Sequence, residues 1–516
     1  LLLANAISVV GHQSSPTGSF CLMARRMRKG SRAAKEPSNG PDTAAQGGFW
    51  HPLAIEDVEK VAKTAIRILT DIGLSETPSV LGDAVISNGG RFVDGRLLYS
   101  RDLIEATLKN TPRTVRLAGQ IKAHDLMVGG QSVYAGTGGA APNIYDQYIQ
   151  DYRPSKLHDL YSAARLSDAL DHVQFFSRSL VAGDIDDPLA FDLATATACL
   201  LGTSKHVMVQ ASQPAHVIQI AEICYEIAGS EAAFRDRPFL SLNINHAVPP
   251  LRAHDESFAV MAEAVHHGIP VHCNVFGQLG ASSPVTMAGS VAQTLAETLA
   301  GLAFVHALDP KAPRIAGPRP MIIDLRTGGM AGGAGEQIMA TALAVQVLRY
   351  WDLPCSVIAG ATDSKRPDFQ AGYEKALTIN TAIQAGANLI TQAVGTQAAL
   401  MGVSFSAMVT DNDMLGAIKR ANIAPEITQD TLMFDEIKEV VTGEGHYLGR
   451  PETYARMRSD FLYPNIADRS PLDVWSTSDH SDIEERSNTI ANTILETHWP
   501  NHLPEALRLK LTRQFS

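Results

Sequence analysis

The residues best suited to chemistry lie in a glycine-rich stretch at positions 324–336, which reads Asp-Leu-Arg-Thr-Gly-Gly-Met-Ala-Gly-Gly-Ala-Gly-Glu. Glycines let the backbone approach a ligand closely, and a helix that begins after such a loop offers free N–H groups to an anion. The stretch lacks the Gly-Lys-Ser/Thr of a Walker loop and the context of a dinucleotide fingerprint. We predict that Arg326 holds a carboxylate with its two-pronged guanidinium, the alternative being a surface ion pair.

A second stretch, residues 359–368, joins small residues to an acid and a base at the end of a predicted strand. Gly360 and Asp363 fit a floor over which a substrate lies. The alternative is an ordinary loop in which Asp363 or Ser364 caps the next helix.

Polar and apolar side chains alternate along two predicted strands, residues 239–246 and 270–276. In a barrel the apolar set can face the surrounding helices while the polar set lines the interior. Because buried polar groups need partners, this predicts either a ligand cavity or a network that satisfies itself. Phe276 shares the polar face, and aromatic rings bind quaternary ammonium cations. The predicted polar contacts to a substrate are Asn245, His246, Asn274 and Gln278.

Metal and nucleophile signatures are weak. The histidines show no His-x-His or His-Glu-x-x-His spacing, so no metal site is predicted. Cys273 and Cys355 are predicted to be buried thiols, since no basic neighbour is identifiable. No Gly-x-Ser-x-Gly elbow occurs, and no catalytic side chain is predicted. The histidines considered are His206, His246, His266, His267 and His272.

Short apolar runs alternate with alanine-rich helical stretches at intervals of mostly 30–40 residues between about Gly130 and Leu400. Eight such units favour an α/β fold of the (β/α)₈ TIM-barrel type, with a doubly wound open sheet as the alternative. The predicted strands are Ser132–Thr137, Val173–Leu180, His206–Ser212, Phe239–His246, Pro270–Phe276, Arg314–Pro318, Cys355–Gly360 and Leu389–Gly395.

Four segments are predicted. Residues 1–48 form a disordered basic leader, a transit peptide being the alternative. Residues 49–130 form a small α+β segment, with a helix over 56–72 and a hairpin over 91–100. The barrel occupies residues 131–400, and a helical extension follows at 401–516, with helices near 414–421, 434–442 and 482–496.

Composition excludes several classes of protein. The 516 residues are 45% hydrophobic and 19% charged, with 43 Lys and Arg against 54 Asp and Glu, giving a net charge of −11. A globular chain without nucleic-acid partners or a membrane span is expected. Five scattered cysteines indicate a reducing cytoplasm. Large barrels commonly pair, so a homo-oligomer is among the expected states.

Several stretches together resemble the trimethylamine methyltransferase family, over about Phe49 to Asp473. Besides the Asp324 loop and the Tyr463-Pro464 and Asp468-Arg469-Ser470 region, they are Leu-Arg-Tyr-Trp-Asp-Leu-Pro at 348–354, Gly-Ala-Thr-Asp-Ser-Lys at 360–365 and Gln-Ala-Gly-Tyr-Glu-Lys-Ala at 370–376. The resemblance implies a (β/α)₈ barrel that moves a methyl group from a methylated amine to Co(I) of a corrinoid. A separate corrinoid protein carries this cofactor and docks over the barrel mouth. The glycines predicted to contact the cofactor are Gly328, Gly329 and Gly332.

The resemblance also bears on the substrate. Archaeal trimethylamine enzymes of the family have a pyrrolysine near the position of the 359–363 loop, where this chain has ordinary residues. A quaternary ammonium already has a neutral amine as its leaving group and needs only placement against the cobalt. We therefore expect glycine betaine or a similar quaternary amine, with Arg326 on its carboxylate and Phe276 on its cation. The alternatives are trimethylamine, carnitine, proline betaine or a sulfonium donor, a non-catalytic ligand-binding relative, and a barrel that binds phosphate.

Overall fold

The computed structural model describes residues 45–443 and 445–513. Most of the predicted leader, residues 1–44, therefore lies outside the described residues. Its last residues do not: β1 (Ala45–Gln46) pairs antiparallel with Ser132 and Val133. The folded part of the chain begins before the predicted boundary at residue 48.

The segment before the barrel is a mixture of helices and hairpins. At the tip of the first hairpin, Asp94 and Gly95 have φ angles of 49° and 75°, the left-handed values that a two-residue hairpin loop requires. After β1 the elements are α1 (Ile55–Arg67) with a π turn (Ile68–Ile72), α2 (Ser79–Ile86), β2 (Arg91–Val93), β3 (Arg96–Leu98), α3 (Arg101–Asn110), β4 (Thr114–Leu117), a 3₁₀ turn (Lys122–His124) and β5 (Leu126–Gly129).

Next comes a long run of alternating strands and helices. The elements are β6 (Ser132–Ala135), β7 (Asn143–Asp146), β8 (Asp151–Pro154), α4 (Leu157–Ala169), β9 (Phe175–Ser177), α5 (Pro188–Gly202), β10 (His206–Val209), α6 (Pro214–Ala228), α7 (Glu231–Asp236), β11 (Leu240–Asn245), β12 (Ala247–Val248), β13 (Arg252–Ala253), α8 (Asp255–His266), β14 (Val271–Gln278), α9 (Met287–Leu308), β15 (Arg314–Met321), α10 (Gly335–Tyr350), β16 (Ser356–Ile358), α11 (Phe369–Ala385), β17 (Leu389–Thr391), β18 (Thr396–Gln397), β19 (Gly402–Val403) and α12 (Phe405–Ala421).

Eight of the described strands are parallel and close into a ring. Strands β9, β10, β11, β14 and β15 form one ladder, and β16, β17 and β6 form another. Single parallel bridges, Gly136 to Phe175 and Ala316 to Cys355, join the two ladders on both sides. The predicted (β/α)₈ barrel is confirmed, because an open doubly wound sheet would leave two free edges.

One end of this barrel is plugged. The hairpin β4–β5 lies under the amino ends of the strands and packs its apolar face onto inward-facing side chains. The cluster contains Val115, Leu117, Leu126 and Val128 from the hairpin and Phe175, Met208, Ile315 and Leu389 from the strands. Since this end is filled with apolar side chains, space for a ligand is left at the carboxyl end.

Two helices, α9 and α12, differ from the others in composition or position. α9 is the one described helix long and apolar enough to span a membrane by length and composition, and 89% of its most apolar window is buried inside the protein. α12 is the first helix after the last barrel strand, β17, and packs on α4, α11 and α17, so it is the eighth barrel helix. The barrel therefore continues to residue 421, past the predicted boundary at 400. The extension contains α13 (Gln429–Leu432), α14 (Phe434–Thr442), α15 (Pro451–Ser459), α16 (Leu472–Trp475), α17 (Ile483–Thr497) and α18 (Glu505–Arg513).

Candidate active site

A cavity of about 280 Å³ lies inside the carboxyl end of the barrel. Strand ends and the loops directly after them form its wall, as in other TIM barrels whose sites lie at this face. Its lining residues are Gly138, Gly139, Ala140, Ser177, Arg178, Gln210, Asn243, Asn245, Asn274, Phe276, Arg319, Thr391 and Gln392.

The two strands with alternating polar residues do turn their polar faces inward. Along β11, exposure rises from fully buried Ser241 through half-buried Asn243 to exposed Asn245. Along β14 it rises from buried Asn274 to half-buried Phe276 in the same direction. The gradient shows that the cavity opens toward the carboxyl ends of the strands.

A chain of hydrogen bonds fixes the amides in the wall. Asn243 Nδ2 donates to Ser177 Oγ at 3.0 Å, and Asn274 Nδ2 donates to Asn243 Oδ1 at 3.3 Å. Arg319 Nη2 donates to Asn274 Oδ1 at 3.0 Å. Each side-chain oxygen thus already accepts a hydrogen bond, which orients the next amide along the wall.

Arg319 is a buried guanidinium, only 4% exposed. It also donates to the Ser356 carbonyl at 3.1 Å and lies 5.9 Å from the centre of the Phe276 ring. Burial lowers the pKa of Arg319 to about 9, because the charged form loses its hydration. No Asp or Glu is among the described residues that line the cavity.

A second guanidinium, Arg178, lies in the same wall with its charge 5.6 Å from the ring of Phe191. Burial lowers its pKa as well. Arg178 Nε, Gln210 Oε1 and Gln392 Oε1 are buried and have no hydrogen-bond partner among the described residues. An unpaired buried polar group costs about 1–3 kcal/mol, so three of them around one cavity indicate a place where a bound molecule supplies the partners.

Below the cavity lies a layer that mostly satisfies itself. His206 Nδ1 lies 2.8 Å from the Ala118 carbonyl, and its Nε2 lies 2.8 Å from Ser241 Oγ. Ser241 Oγ is 3.0 Å from His272 Nε2. Burial lowers the pKa of His206 to about 4 and that of His272 to about 3, so both rings are neutral at pH 7. The two alternatives for the polar strand faces therefore both occur, at different depths.

Comparisons with known proteins identify the family to which this barrel belongs. The family model described as trimethylamine methyltransferase (MTTB) matches residues 23–515. The chain belongs to this family. It is accordingly an enzyme of the methyltransferase class.

The names of similar proteins specify different methyl donors. The trimethylamine methyltransferase MttB of Desulfitobacterium hafniense is 30% identical over 462 residues, 88% of this chain and 91% of the relative. The glycine betaine methyltransferase of the same species is 25% identical over 465 residues, 90% of this chain and 96% of the relative. The crystal structure of the Methanosarcina barkeri monomethylamine methyltransferase MtmB has a TM-score of 0.53 and 13% identity, covering 88% and 89% of the two chains, and shows the shared fold.

Of the eight residues predicted to bind the substrate, Asn245, Asn274 and Phe276 line the cavity. Gln278 lies beyond them at the exposed end of β14. His246 faces outward: its Nε2 lies 2.8 Å from the Glu297 carbonyl on α9, and burial lowers its pKa to about 4. The reason is parity, since residues 241, 243 and 245 face inward and the next residue must face the helices.

The glycine-rich loop binds a side chain of its own protein. The N–H groups of Gly332 and Gly333 donate to the two carboxylate oxygens of Asp363 at 2.9 and 3.4 Å. Burial raises the pKa of Asp363, whereas these two donors lower it. The loop was predicted to bind an anion, and the anion that it contacts is the Asp363 carboxylate of the same chain. Neither Asp363 nor Gly360 lines the cavity.

Arg326 also lies outside the cavity lining. Its side chain is 89% exposed and forms a two-pronged pair with Asp324 at 3.0 and 2.8 Å. This is the surface ion pair that the sequence left open as the alternative. Contacts of Gly328, Gly329 and Gly332 with the cofactor stay a prediction; Gly328 N–H donates to the Asp324 carbonyl at 2.7 Å.

Neither cavity arginine, Arg178 or Arg319, was predicted from the sequence. Arg319 lies in β15, one residue beyond the predicted end of that strand at Pro318. A predicted strand that continued past Pro318 would have placed Arg319 on the same face as Gly317. Gly317 pairs with Asn274 on the neighbouring strand, and Arg319 donates to Asn274. Arg178 lies inside the predicted strand Val173–Leu180, but the observed strand β9 ends at Ser177, so the alternation along the strand does not place the Arg178 side chain.

Proposed function

We propose that this methyltransferase takes its methyl group from a quaternary amine that also has a carboxylate, as in glycine betaine. The methyl acceptor is Co(I) of a corrinoid on a partner protein. One observation is the main support: among described residues, the cavity is lined by two guanidinium groups and no carboxylate.

The charge of the cavity separates the candidate donors. A donor with only a positive charge, such as protonated trimethylamine, would meet Arg178 and Arg319 without a counter-charge. Like charges in a poorly solvated site repel strongly. A zwitterion instead offers a carboxylate to the guanidinium forks, which match its geometry.

The same cavity suits the reaction. When a quaternary nitrogen loses a methyl group, the bonding electrons stay on nitrogen and the product leaves as a neutral amine. No general acid or base is needed, and the side chains that line the cavity supply none in the pH range near 7. The task of the chain is to orient the donor, with Phe276 and the Asn245 amide near its cationic end and the methyl group toward the opening.

The opening fits the approach of a partner. Gly138 and Gly139 form part of the cavity wall with left-handed φ angles of 154° and 105°, and neither adds a side chain of its own to this wall. A corrinoid on the partner supplies the cobalt nucleophile at this mouth. A reducing cytoplasm suits the protein, since Cys199, Cys224, Cys273 and Cys355 are buried free thiols.

The test is methyl transfer from candidate donors to free Co(I)alamin, followed by the absorbance change on methylation. Glycine betaine and choline form a matched pair, because they share the trimethylammonium group and differ in the carboxylate. We expect turnover with glycine betaine and at least tenfold less with choline and trimethylamine. Carnitine and proline betaine report how large a carboxylated donor the cavity accepts.

Thermal stabilisation of the protein by each donor gives a second readout that does not depend on the corrinoid partner. Stabilisation by glycine betaine and not by choline is expected. Equal or better turnover and stabilisation with choline or trimethylamine would overturn the assignment of a carboxylated donor.

A further inference from the structure

We propose that Glu263, His266 and His267, at the carboxyl end of α8, bind one divalent transition-metal ion of the Zn²⁺ type. Each residue offers one ligand atom, and the three atoms lie within 4.8 Å of one another. The site is separate from the cavity, because these residues directly precede β14 and so lie at the amino end of the barrel.

Helix geometry brings the three side chains together. Residues spaced three and four apart lie on one face of a helix, one turn from each other. Glu263 Oε1 is 3.0 Å from His267 Nε2. Two ligands of a tetrahedral zinc ion, with bonds of about 2.0–2.1 Å, are separated by about 3.3 Å. This pair therefore already has almost the spacing of two ligands.

His266 completes the set with little rearrangement. Its ring is exposed and stands nearly perpendicular to that of His267, with centroids 5.2 Å apart. An exposed ring can rotate to bring its nitrogen closer. Two imidazoles and one carboxylate make three ligands and leave a fourth position for water, a set suited to Zn²⁺ and to Co²⁺ or Ni²⁺.

Tyr225 on α6 holds the ring of His267 in place. Its hydroxyl lies 2.7 Å from His267 Nδ1, so Nε2 is the nitrogen turned toward Glu263. A hydrogen bond to the second nitrogen of a metal-binding histidine is the usual outer support of such sites. The bound ion would thereby tie α8 to α6.

The nearby charges permit a cation. One guanidinium contacts the site: Arg235 donates to the backbone carbonyl of His266. Its Nε pairs with Glu231 at 2.7 Å, which offsets its charge. The patterns His-x-His and His-Glu-x-x-His do not describe this arrangement, in which two adjacent histidines are joined by a carboxylate one helical turn earlier.

The experiment uses the full chain without an affinity tag, freed of metal by a chelator. Zn²⁺ is titrated by calorimetry, and Co²⁺ is titrated by visible absorption, which reports tetrahedral coordination. We expect one ion per chain, a rise in Tm with Zn²⁺, and affinity at least tenfold lower for His266→Ala. Tyr225→Phe should lower the affinity by about 10–100-fold.

His158→Ala is the matched control, since His158 is an exposed histidine on another helix, α4. It should bind Zn²⁺ as the parent does. Because His266 is exposed, its substitution should leave the fold intact, which circular dichroism checks. Absence of Zn²⁺ binding by the parent, or equal affinity of the His266→Ala and His158→Ala variants, would overturn the proposal.

Discussion

Arg319 donates a hydrogen bond to the side-chain oxygen of Asn274 across 3.0 Å, and this contact marks the level at which the barrel interior changes from packed to open. Below it, His206, Ser241 and His272 form a closed polar layer. Above it, the walls separate into a cavity that contains a second guanidinium, Arg178. Arg319 thus has both a structural role and a surface exposed to the cavity.

The carboxylate anchor predicted from the sequence, Arg326, and a cavity anchor, Arg178, can be compared by substitution. Arg178→Ala should lower kcat/KM for glycine betaine by about 10–100-fold, the value of a charge-assisted hydrogen bond of about 1.5–3 kcal/mol. Arg326→Ala should lower it less than threefold, because Arg326 pairs with Asp324 in solvent. Steady-state kinetics with both variants measures the two losses. A larger loss of kcat/KM in Arg326→Ala than in Arg178→Ala would show that Arg326 holds the carboxylate.

A new negative charge at the cavity mouth should change donor preference. Asn245 is exposed at the rim, so Asn245→Asp adds a carboxylate without burying it. A partly exposed ion pair contributes about 1 kcal/mol, so we expect the choline-to-glycine-betaine ratio of kcat/KM to rise about fivefold. Asn245→Ser controls for the loss of the amide. An unchanged ratio in both variants would mean that charge does not select the donor.

Glu297 makes a pH-dependent contribution to stability. Burial raises its pKa from 4.5 to about 7. Between these values the folded chain keeps a proton that the unfolded chain has lost, so this group destabilises the fold progressively as the pH rises through that window. The full effect is about 3 kcal/mol above pH 7.

Glu297→Gln removes this dependence. The free energy of unfolding of the variant, minus that of the parent, should increase from pH 4.5 to pH 8 by about 2–3 kcal/mol. Urea titrations at several pH values measure it. Glu56→Gln, on an exposed residue of α1, controls for the substitution. A difference that does not vary with pH would show that Glu297 is not protonated in the folded protein near neutrality.

Two glycines of the 324–336 stretch, Gly333 and Gly335, allow the same substitution to be compared at two positions. A Cβ on Gly333 would lie 2.3 Å from the carboxyl carbon of Glu374, whereas a Cβ on Gly335 would meet nothing within 4 Å. Glu374 cannot move away easily, because Thr362 and the Asp363 N–H both donate to it. Gly333→Ala should therefore lower the free energy of unfolding by about 1–3 kcal/mol.

Gly335→Ala should change stability by less than about 0.5 kcal/mol, since it only replaces glycine at the start of α10. Chemical unfolding of the two variants gives the values. Equal destabilisation by both substitutions would contradict the close packing of this loop against Glu374.

Repetition made the architecture readable from the sequence. Each of the eight strands was predicted as a short apolar run, and the predicted bounds of α14 agree with the structure at both ends. Hydrophobic periodicity reports which face of an element is buried, and this depends on neighbours along the chain. The same local rule placed Asn274 and Phe276 on the inner face of β14.

Tertiary structure decided what the cavity contains. Arg178 and Arg319 meet there although 141 positions separate them, and Asp363 finds the amides of Gly332 and Gly333 from another loop. The sequence alone determined the barrel, the family and the inward polar strand faces, because those depend on local patterns. Which charges face one another was decided only when the barrel closed, since closure sets the distance between side chains that no local period relates.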